Sequence, residues 1–224
     1  MSKKKKIDAG FYDEEYYRNK GYTLKQQYET FHELAGHLKG HFNPRSVLDV
    51  GCSIGVLVKA FRDLGIESYG VDFSEYAVSH APREVRPFLS RVDVDREKLP
   101  FEEGRFDLIT MLEVLEHLHD HRHLIREARR VLRDGGGVFV TTPLESSPWE
   151  PSHINIHPRK FWVEEFENFG FRYARDVAHS FPPVMGASRL LTKVGIIGSW
   201  ALSLARRLLE PIERTYAPLI FVKE

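Results

Sequence analysis

The order of apolar and polar positions changes character near residue 44. Residues 11–42 are polar with scattered aromatics, among them Tyr12, Tyr16, Tyr17, Tyr22 and Tyr28, and read as helical. Asn43-Pro44 interrupts that pattern, because the residue before a proline is driven out of helical backbone. Beyond it, short apolar runs alternate with amphipathic stretches. Ser46 to Val50 reads as a strand, followed by a glycine-bearing turn over Gly51–Gly55 and a helix to about Leu64, with Gly65 as its C-cap. Ser68 to Asp72 is a second strand, with a short helix near Glu75–His80 after it. Leu89 to Val94 reads as a third strand and Phe106 to Met111 as a fourth. A helix is expected from His121 to Leu132, N-capped by Asp120. Asp134 to Gly137 turns into a fifth strand that Pro143 stops. A sixth strand is expected near Phe171–Ala178 and a last one over Pro218–Val222. Between these two, Leu190–Glu210 has the period of an amphipathic helix, with Leu190, Val194, Ile197, Ala201, Leu204 and Leu208 on one face.

Strands and helices alternating at this spacing predict βαβ units and a parallel sheet. Continuous apolar pairs such as Val47-Leu48 and Leu108-Ile109 fit strands covered on both faces. Ligands of such sheets bind at the carboxyl ends of the strands, near the point where strand order reverses. The reading divides the chain into an N-terminal tail and helical cap (1–43), a core (44–182), and an amphipathic helix with the last strand of the same domain (183–224).

Composition narrows this little. Of 224 residues, 42% are hydrophobic and 29% charged, which excludes a wholly disordered chain. Basic and acidic side chains balance at 32 each. That balance argues against a protein that coats nucleic acid, and no specific nucleic-acid partner is expected. The zero conceals a basic start, Lys3 to Lys6, a basic end and an acidic middle. No apolar run long enough for a signal peptide follows the lysines. Cys52 is the single cysteine, so the reading places the chain in a reducing, cytoplasmic compartment. Lys193, Arg206 and Arg207 on the 190–210 helix keep open a peripheral membrane contact.

The candidate chemistry begins in the turn after strand one. The dinucleotide fingerprint started at Gly51 requires glycine at 53 and 56, where this chain has Ser53 and Val56. No phosphate-loop tripeptide follows either. What the turn offers instead is an acid two residues before its first glycine, Asp49, and another, Asp72, ending strand two. A carboxylate in the second position can accept both hydroxyls of a ribose. Two acids suit a positively charged ligand better than a pyrophosphate.

Val47 to Gly55 resembles the first motif of the class I S-adenosylmethionine-dependent methyltransferases. Gly70-Val71-Asp72-Phe73-Ser74 is similar to their second strand, Asp93-Val94-Asp95 to their adenine-side segment, Phe106 to Leu118 to their fourth-strand motif, and Leu132 to Gly136 to the turn into strand five. Five motifs in this order over about residues 44–143 are specific together. Ser53 departs from the glycine usual at its position. The resemblance implies a doubly wound, Rossmann-like α/β fold, with a mostly parallel seven-stranded sheet, helices on both faces and an antiparallel last strand. It implies S-adenosyl-L-methionine as cofactor and S-adenosyl-L-homocysteine as product. Asp49, Gly51, Cys52, Ser53 and Gly55 would line the methionine end, Asp72 would hold the ribose and Phe73 would pack on the adenine. Asp93 and Val94 would meet the adenine edge, and Met111, Leu112 and Glu113 would lie near the sulfonium.

A base is required only if the acceptor loses a proton, and His117, past strand four, is the candidate. The pairs His117/His121 and His119/His123 have metal-ligand spacing on a helix, but Asp120 starts that helix, so no metal is expected there. His153, Asn155 and His157 in the loop after strand five are acceptor-side candidates. The expected activity is methyl transfer to a small-molecule, glycan- or lipid-linked acceptor, with O-, N- and C-acceptors open. The alternative is a non-catalytic S-adenosylmethionine-binding or regulatory protein on the same fold.

Overall fold

Strand β1 (Ser46–Val50) is buried at every residue, and its neighbours show why. Leu48 and Val50 enter one apolar cluster, while Val47 enters another on the opposite side of the sheet. The same split divides Ile109 and Met111 from Leu108, and Val138 and Val140 from Phe139. Both faces are therefore covered, which is the condition under which parallel strands are stable. This is a computed structural model, and it describes residues 14–16, 23–144, 152–180 and 218–224.

The elements run in the order α1 (Leu24–Phe42), β1, α2 (Val56–Asp63), β2 (Glu67–Asp72), α3 (Glu75–His80), β3 (Leu89–Arg91), β4 (Phe106–Leu112), α4 (His121–Val131), β5 (Leu132–Thr141), α5 (Arg159–Asn168), β6 (Phe171–Tyr173), α6 (Arg175–Ser180) and β7 (Leu219–Lys223). They form one seven-stranded sheet in the order β3-β2-β1-β4-β5-β7-β6. β7 is antiparallel to both β5 and β6. The other neighbouring pairs are parallel. The fold is thus the doubly wound α/β sheet with an antiparallel last strand. Strand order reverses between β1 and β4, so their carboxyl ends open the crevice where a ligand sits.

Local signals set most boundaries. α2 ends in a Schellman turn, with Gly65 at φ 77°. There the Ile66 N–H donates to Phe61 O (3.0 Å) and the Gly65 N–H to Arg62 O (2.9 Å). The Asp120 carboxylate caps α4 by accepting from the His123 N–H at 3.1 Å. Gly137 lets α1 approach β5, because a Cβ there would lie 2.7 Å from the Phe42 ring.

Several expectations need correction. The third strand stops at Arg91 instead of Val94, since the Arg96 and Glu97 N–H groups turn back to Asp93 O. The expected sixth strand ends at Tyr173, and α6 replaces its second half. β5 begins at Leu132, through a register shift that absorbs the glycines. Helix α5 was not anticipated. Residues 14–16 and Leu24–Phe42 are helical, and the rest of the stretch before Leu24 that was read as helix lies, apart from Thr23, outside the described residues. The 190–210 segment and the lysine-rich start lie outside the described residues. Among the described residues no helix is long and apolar enough to cross a membrane.

Asp107 ties three strand beginnings together at the other end of the sheet. Its Oδ2 accepts from the N–H groups of Arg45 (2.6 Å) and Ser46 (2.9 Å). Its Oδ1 pairs with Arg133 Nε at 2.6 Å. Burial alone would raise this carboxyl, yet these donors hold it below the ordinary aspartate value. A lowered pKa stabilises the fold above the unfolded value of about 3.9, and that contribution fades as acid protonates the folded carboxylate. Asp107→Ala should cost about 1–3 kcal/mol in urea unfolding at pH 7, with the deficit shrinking below pH 4. A deficit independent of pH would show that the charge plays no part.

Candidate functional site

The turn between β1 and α2 is shaped by three left-handed residues, Gly51 (φ 74°), Ser53 (φ 53°) and Gly55 (φ 76°). Both the Gly51 and Cys52 N–H groups donate to Val71 O, at 2.8 and 3.1 Å. The turn is thereby held against the end of β2. A Cβ on Gly51 would stand 2.5 Å from Val114 Cγ2, so only glycine lets the turn pass the segment after β4. Ser53 adopts a backbone that favours glycine, which explains why glycine is usual at its position.

Asp72 fixes the turn. Its Oδ2 accepts from the Ser53 N–H at 2.7 Å and its Oδ1 from the Ser74 N–H at 2.8 Å. Burial raises its pKa, against the lowering effect of those amides. Asp49 is nearly inaccessible and accepts from Thr110 Oγ1 at 2.7 Å, across the β1–β4 pair. Burial pushes Asp49 up to about 7; the Thr110 bond opposes that shift and the charge of Asp72 adds to it. Cys52 packs over Gly70, where a Cβ would meet its Sγ at 2.6 Å. Burial pushes its thiol well above the usual range, so Cys52 behaves as an apolar filler.

The other cofactor-side positions spread along the same edge. Phe73 is half-buried, with the Arg91 guanidinium 5.5 Å from its ring centre. The Asp93 N–H donates to Glu97 Oε2 at 2.7 Å, and Val94 is buried. Met111 is wholly buried in the core, whereas Leu112 is half-buried and Glu113 exposed. Glu113 also has a left-handed backbone, at φ 56°. Its N–H donates to Thr141 O at 2.9 Å, joining the ends of β4 and β5.

On the acceptor side the four histidines go separate ways. His119 meets Asp95, His121 meets Glu165, and His123 Nε2 lies 3.0 Å from Glu97 O. His117 Nδ1 lies 3.1 Å from Ser152 O, a carbonyl that only accepts, so Nδ1 carries the proton. Its Nε2 lies 4.0 Å from Glu116 Oε1. Asn155 and His157 are drawn into a bracing chain. Asn155 Nδ2 donates to Leu115 O (2.9 Å) and lies 3.1 Å from His121 Nδ1, while its Oδ1 is 2.9 Å from His157 Nε2. His121 Nε2 ends the chain on Glu165, which Arg122 holds with two bonds. Burial, with His121 close by, lowers the pKa of His157. The His153 ring stands edge-on to that of His117, with centroids 5.0 Å apart.

Residues 22–176 match the family model described as a methyltransferase domain. The chain belongs to this methyltransferase family. S-adenosylmethionine is the cofactor that membership implies. One curated relative, a ubiquinone biosynthesis O-methyltransferase of Bordetella avium, is 35% identical over 59% of this chain and 51% of its own length. Another of the same name, from Pseudomonas paraeruginosa, is 29% identical over 78% of this chain and 70% of its own length. The chain thus spans between about half and 70% of the length of these two relatives. A SAM-dependent methyltransferase from Archaeoglobus fulgidus superposes with a TM-score of 0.58, at 15% identity, over 90% of this chain and all of that one. That likeness speaks for the fold alone.

The methyltransferase turn fits such a cofactor. Among the described residues the buried Ser53 Oγ has no hydrogen-bond partner, and a buried hydroxyl in a glycine turn suits a polar ligand atom. Asp72 retains accepting capacity beyond its two amides, since a carboxylate has about four lone-pair sites. Sequence reasoning missed Thr110, Glu116, Thr142, Ser152 and Glu165. Thr110 and Glu116 stand within the fourth-strand motif, and no spacing rule marks the rest.

Asp49 gives the site a measurable signature. A raised folded pKa means the wild type loses stability as pH rises from the unfolded value of about 3.9 towards its folded value of about 7. Asp49→Asn removes that loss. In urea unfolding between pH 4 and 8, the stability of the variant relative to wild type should rise with pH and level off above 7. Parallel profiles would count against a buried, protonatable Asp49.

Proposed function

We propose that this chain transfers a methyl group from S-adenosylmethionine to a hydroxyl oxygen of a small-molecule acceptor, free or carried on a lipid or glycan. The observation that carries the reading is the clamp of Asp72 on the Ser53 amide, beside the orphaned Ser53 hydroxyl, at the switch point of a methyltransferase-family fold. Oxygen as the acceptor atom is supported by the relatives, which are named O-methyltransferases.

The cofactor supplies a methyl group on a positively charged sulfur. The chain's own residues bind and orient. In this reading Asp72 accepts from the ribose hydroxyls and Phe73 covers the adenine, with Asp93 and Val94 at its edge. The turn from Gly51 to Gly55 and Asp49 line the methionine end, and Leu112 and Glu113 border the transfer point. Asp49 and Asp72 lie where a cation would relieve their buried charge, which favours the sulfonium over its neutral thioether product. The acceptor enters beside Glu116, His117 and His153, and His117 takes its hydroxyl proton as the oxygen–carbon bond forms and the sulfur–carbon bond breaks. The basic ends of the chain suit an anionic acceptor or a membrane surface.

Calorimetry should show binding of S-adenosylmethionine and none of NAD. Asp72→Ala should weaken that binding at least tenfold, and an unchanged affinity would remove the ribose assignment. His117→Ala should keep cofactor affinity while losing turnover on hydroxylated acceptors, followed by label transfer from a methyl-labelled donor. Binding without turnover on any acceptor in a cell extract would favour a regulatory protein.

A further inference from the structure

We propose that Asn155, His121 and Glu165 are positioning residues for the proposed methyl transfer. They anchor the loop that carries Ser152 and so hold the proton of His117 on Nδ1. The anchoring stands apart from the proposed function; the role it gives His117 rests on that reading.

The direction of every bond in the chain follows from its two ends. Glu165 is buried, and its two bonds from Arg122 hold its carboxyl below the ordinary glutamate range, against the effect of burial. An ionised carboxylate only accepts, so the His121 proton facing it at 3.0 Å sits on Nε2. At the other end Leu115 O, 2.9 Å from Asn155 Nδ2, admits only the amide nitrogen, because a flipped amide would set two carbonyl oxygens against each other. The second hydrogen of that nitrogen goes to His121 Nδ1, 3.1 Å away, which accepts it. Asn155 Oδ1 then accepts from His157 Nε2 at 2.9 Å. Every member is satisfied in this arrangement only, with His121 neutral.

What the chain anchors is a loop on a pivot. The Ile154 and Asn155 N–H groups both donate to Glu116 O, at 2.9 and 3.0 Å. Two bonds converging on one oxygen set a distance but leave rotation about that atom. Asn155 Nδ2 on Leu115 O supplies a second point, on the same turn of 3-10 helix that carries His117. His121 keeps the amide turned to that point. Its own ring is fixed by Glu165 and by Phe161 and Trp162, packed edge-on with centroids 5.7 and 5.2 Å away.

Ser152 lies three residues before Asn155 on this loop, and its carbonyl accepts from His117 Nδ1 at 3.1 Å. A neutral imidazole carries one proton. With that proton held at Nδ1, Nε2 is the nitrogen that takes the acceptor's proton in the proposed reaction. A loop free to rotate would let the proton divide between the two nitrogens, and fewer molecules would present the accepting tautomer.

The test reads ring tautomers by nitrogen magnetic resonance on the full chain with isotope-labelled histidine, His117→Gln assigning the His117 signals. Wild type should show His117 protonated on Nδ1 and His121 on Nε2. In His121→Phe, which keeps the ring packing, and in Asn155→Ala, the His117 signals should move to a mixture of both tautomers. Label transfer from methyl-labelled S-adenosylmethionine to the hydroxylated compounds of a cell extract, at saturating cofactor, should fall about tenfold or more in both. His119→Ala, whose ring meets Asp95 instead, should change neither readout. A dispersed amide spectrum certifies each fold; if His121→Phe lacks it, Asn155→Ala and Asn155→Ser decide. The proposal is overturned by a His117 proton on Nε2 in wild type, by an unchanged His117 tautomer in the folded variants, by the same shift in His119→Ala, or by a shift without loss of turnover. If wild type neither binds S-adenosylmethionine nor transfers label, the methyl-transfer reading falls, and the tautomers alone decide the anchoring.

Discussion

The structure is organised around a strand that has no exposed face. β1 must pass its chain into α2 within a short turn, deep in the sheet edge, without leaving buried amides unpaired. Val71 O takes two of those amides and Asp72 takes the Ser53 amide. That solution demands left-handed backbone at residues 51, 53 and 55, and it leaves the turn open on its outer side. The ends of β2, β1 and β4 are thereby locked into one edge. The cofactor-side candidates share that edge because the hydrogen bonds of the turn require it.

A second consequence is electrostatic. The edge gathers Asp49, Asp72 and Glu116, each with burial as the largest cause of a raised pKa. Burying carboxylates is costly unless something compensates, and a structural ion pair would normally do so. Asp107 at the opposite end of the sheet shows that arrangement, with Arg133 beside it. At the carboxyl edge no such cation is paired with these three among the described residues. Asp49 and Asp72 instead receive a hydroxyl and two amides, enough to hold them in place without cancelling their charge. Such an edge suits a positively charged ligand, as the sulfonium of the cofactor is.

The sheet and the turns at its carboxyl edge were legible because their signals are local. Two-sided burial writes itself as runs such as Val47-Leu48, and Gly65 and Asp120 terminate helices by their own chemistry. The failures share a cause in contacts distant along the chain. α5 escaped notice because Glu165 occupies a buried position of its face, answered by His121 and Arg122 from α4. α6 was taken for strand because Ala174 and Ala178, one turn apart, carry too little apolar pattern to mark a helix. On the acceptor side the residue types were visible but their pairing was not. Histidines spaced for a helix diverge, while His117 and His153, 36 positions apart in the sequence, meet.

That meeting explains why the acceptor end is built as it is. A loop that only covered a pocket could hang from its ends. Here the loop is bonded to the backbone of Leu115 and Glu116, in the turn that carries the buried carboxylate. The chain from Asn155 through His121 to Glu165 then fixes the same loop to α4 and α5. Positive φ at Glu113 and at Ser53 marks the two sides of the crevice, and each costs on the order of 1–3 kcal/mol. At Ser53 that strain accompanies the amide donated to Asp72, and at Glu113 the amide donated to Thr141 O. The strain at the two strand ends and the bracing of the acceptor loop therefore serve one geometry, an edge fixed by the chain's own hydrogen bonds.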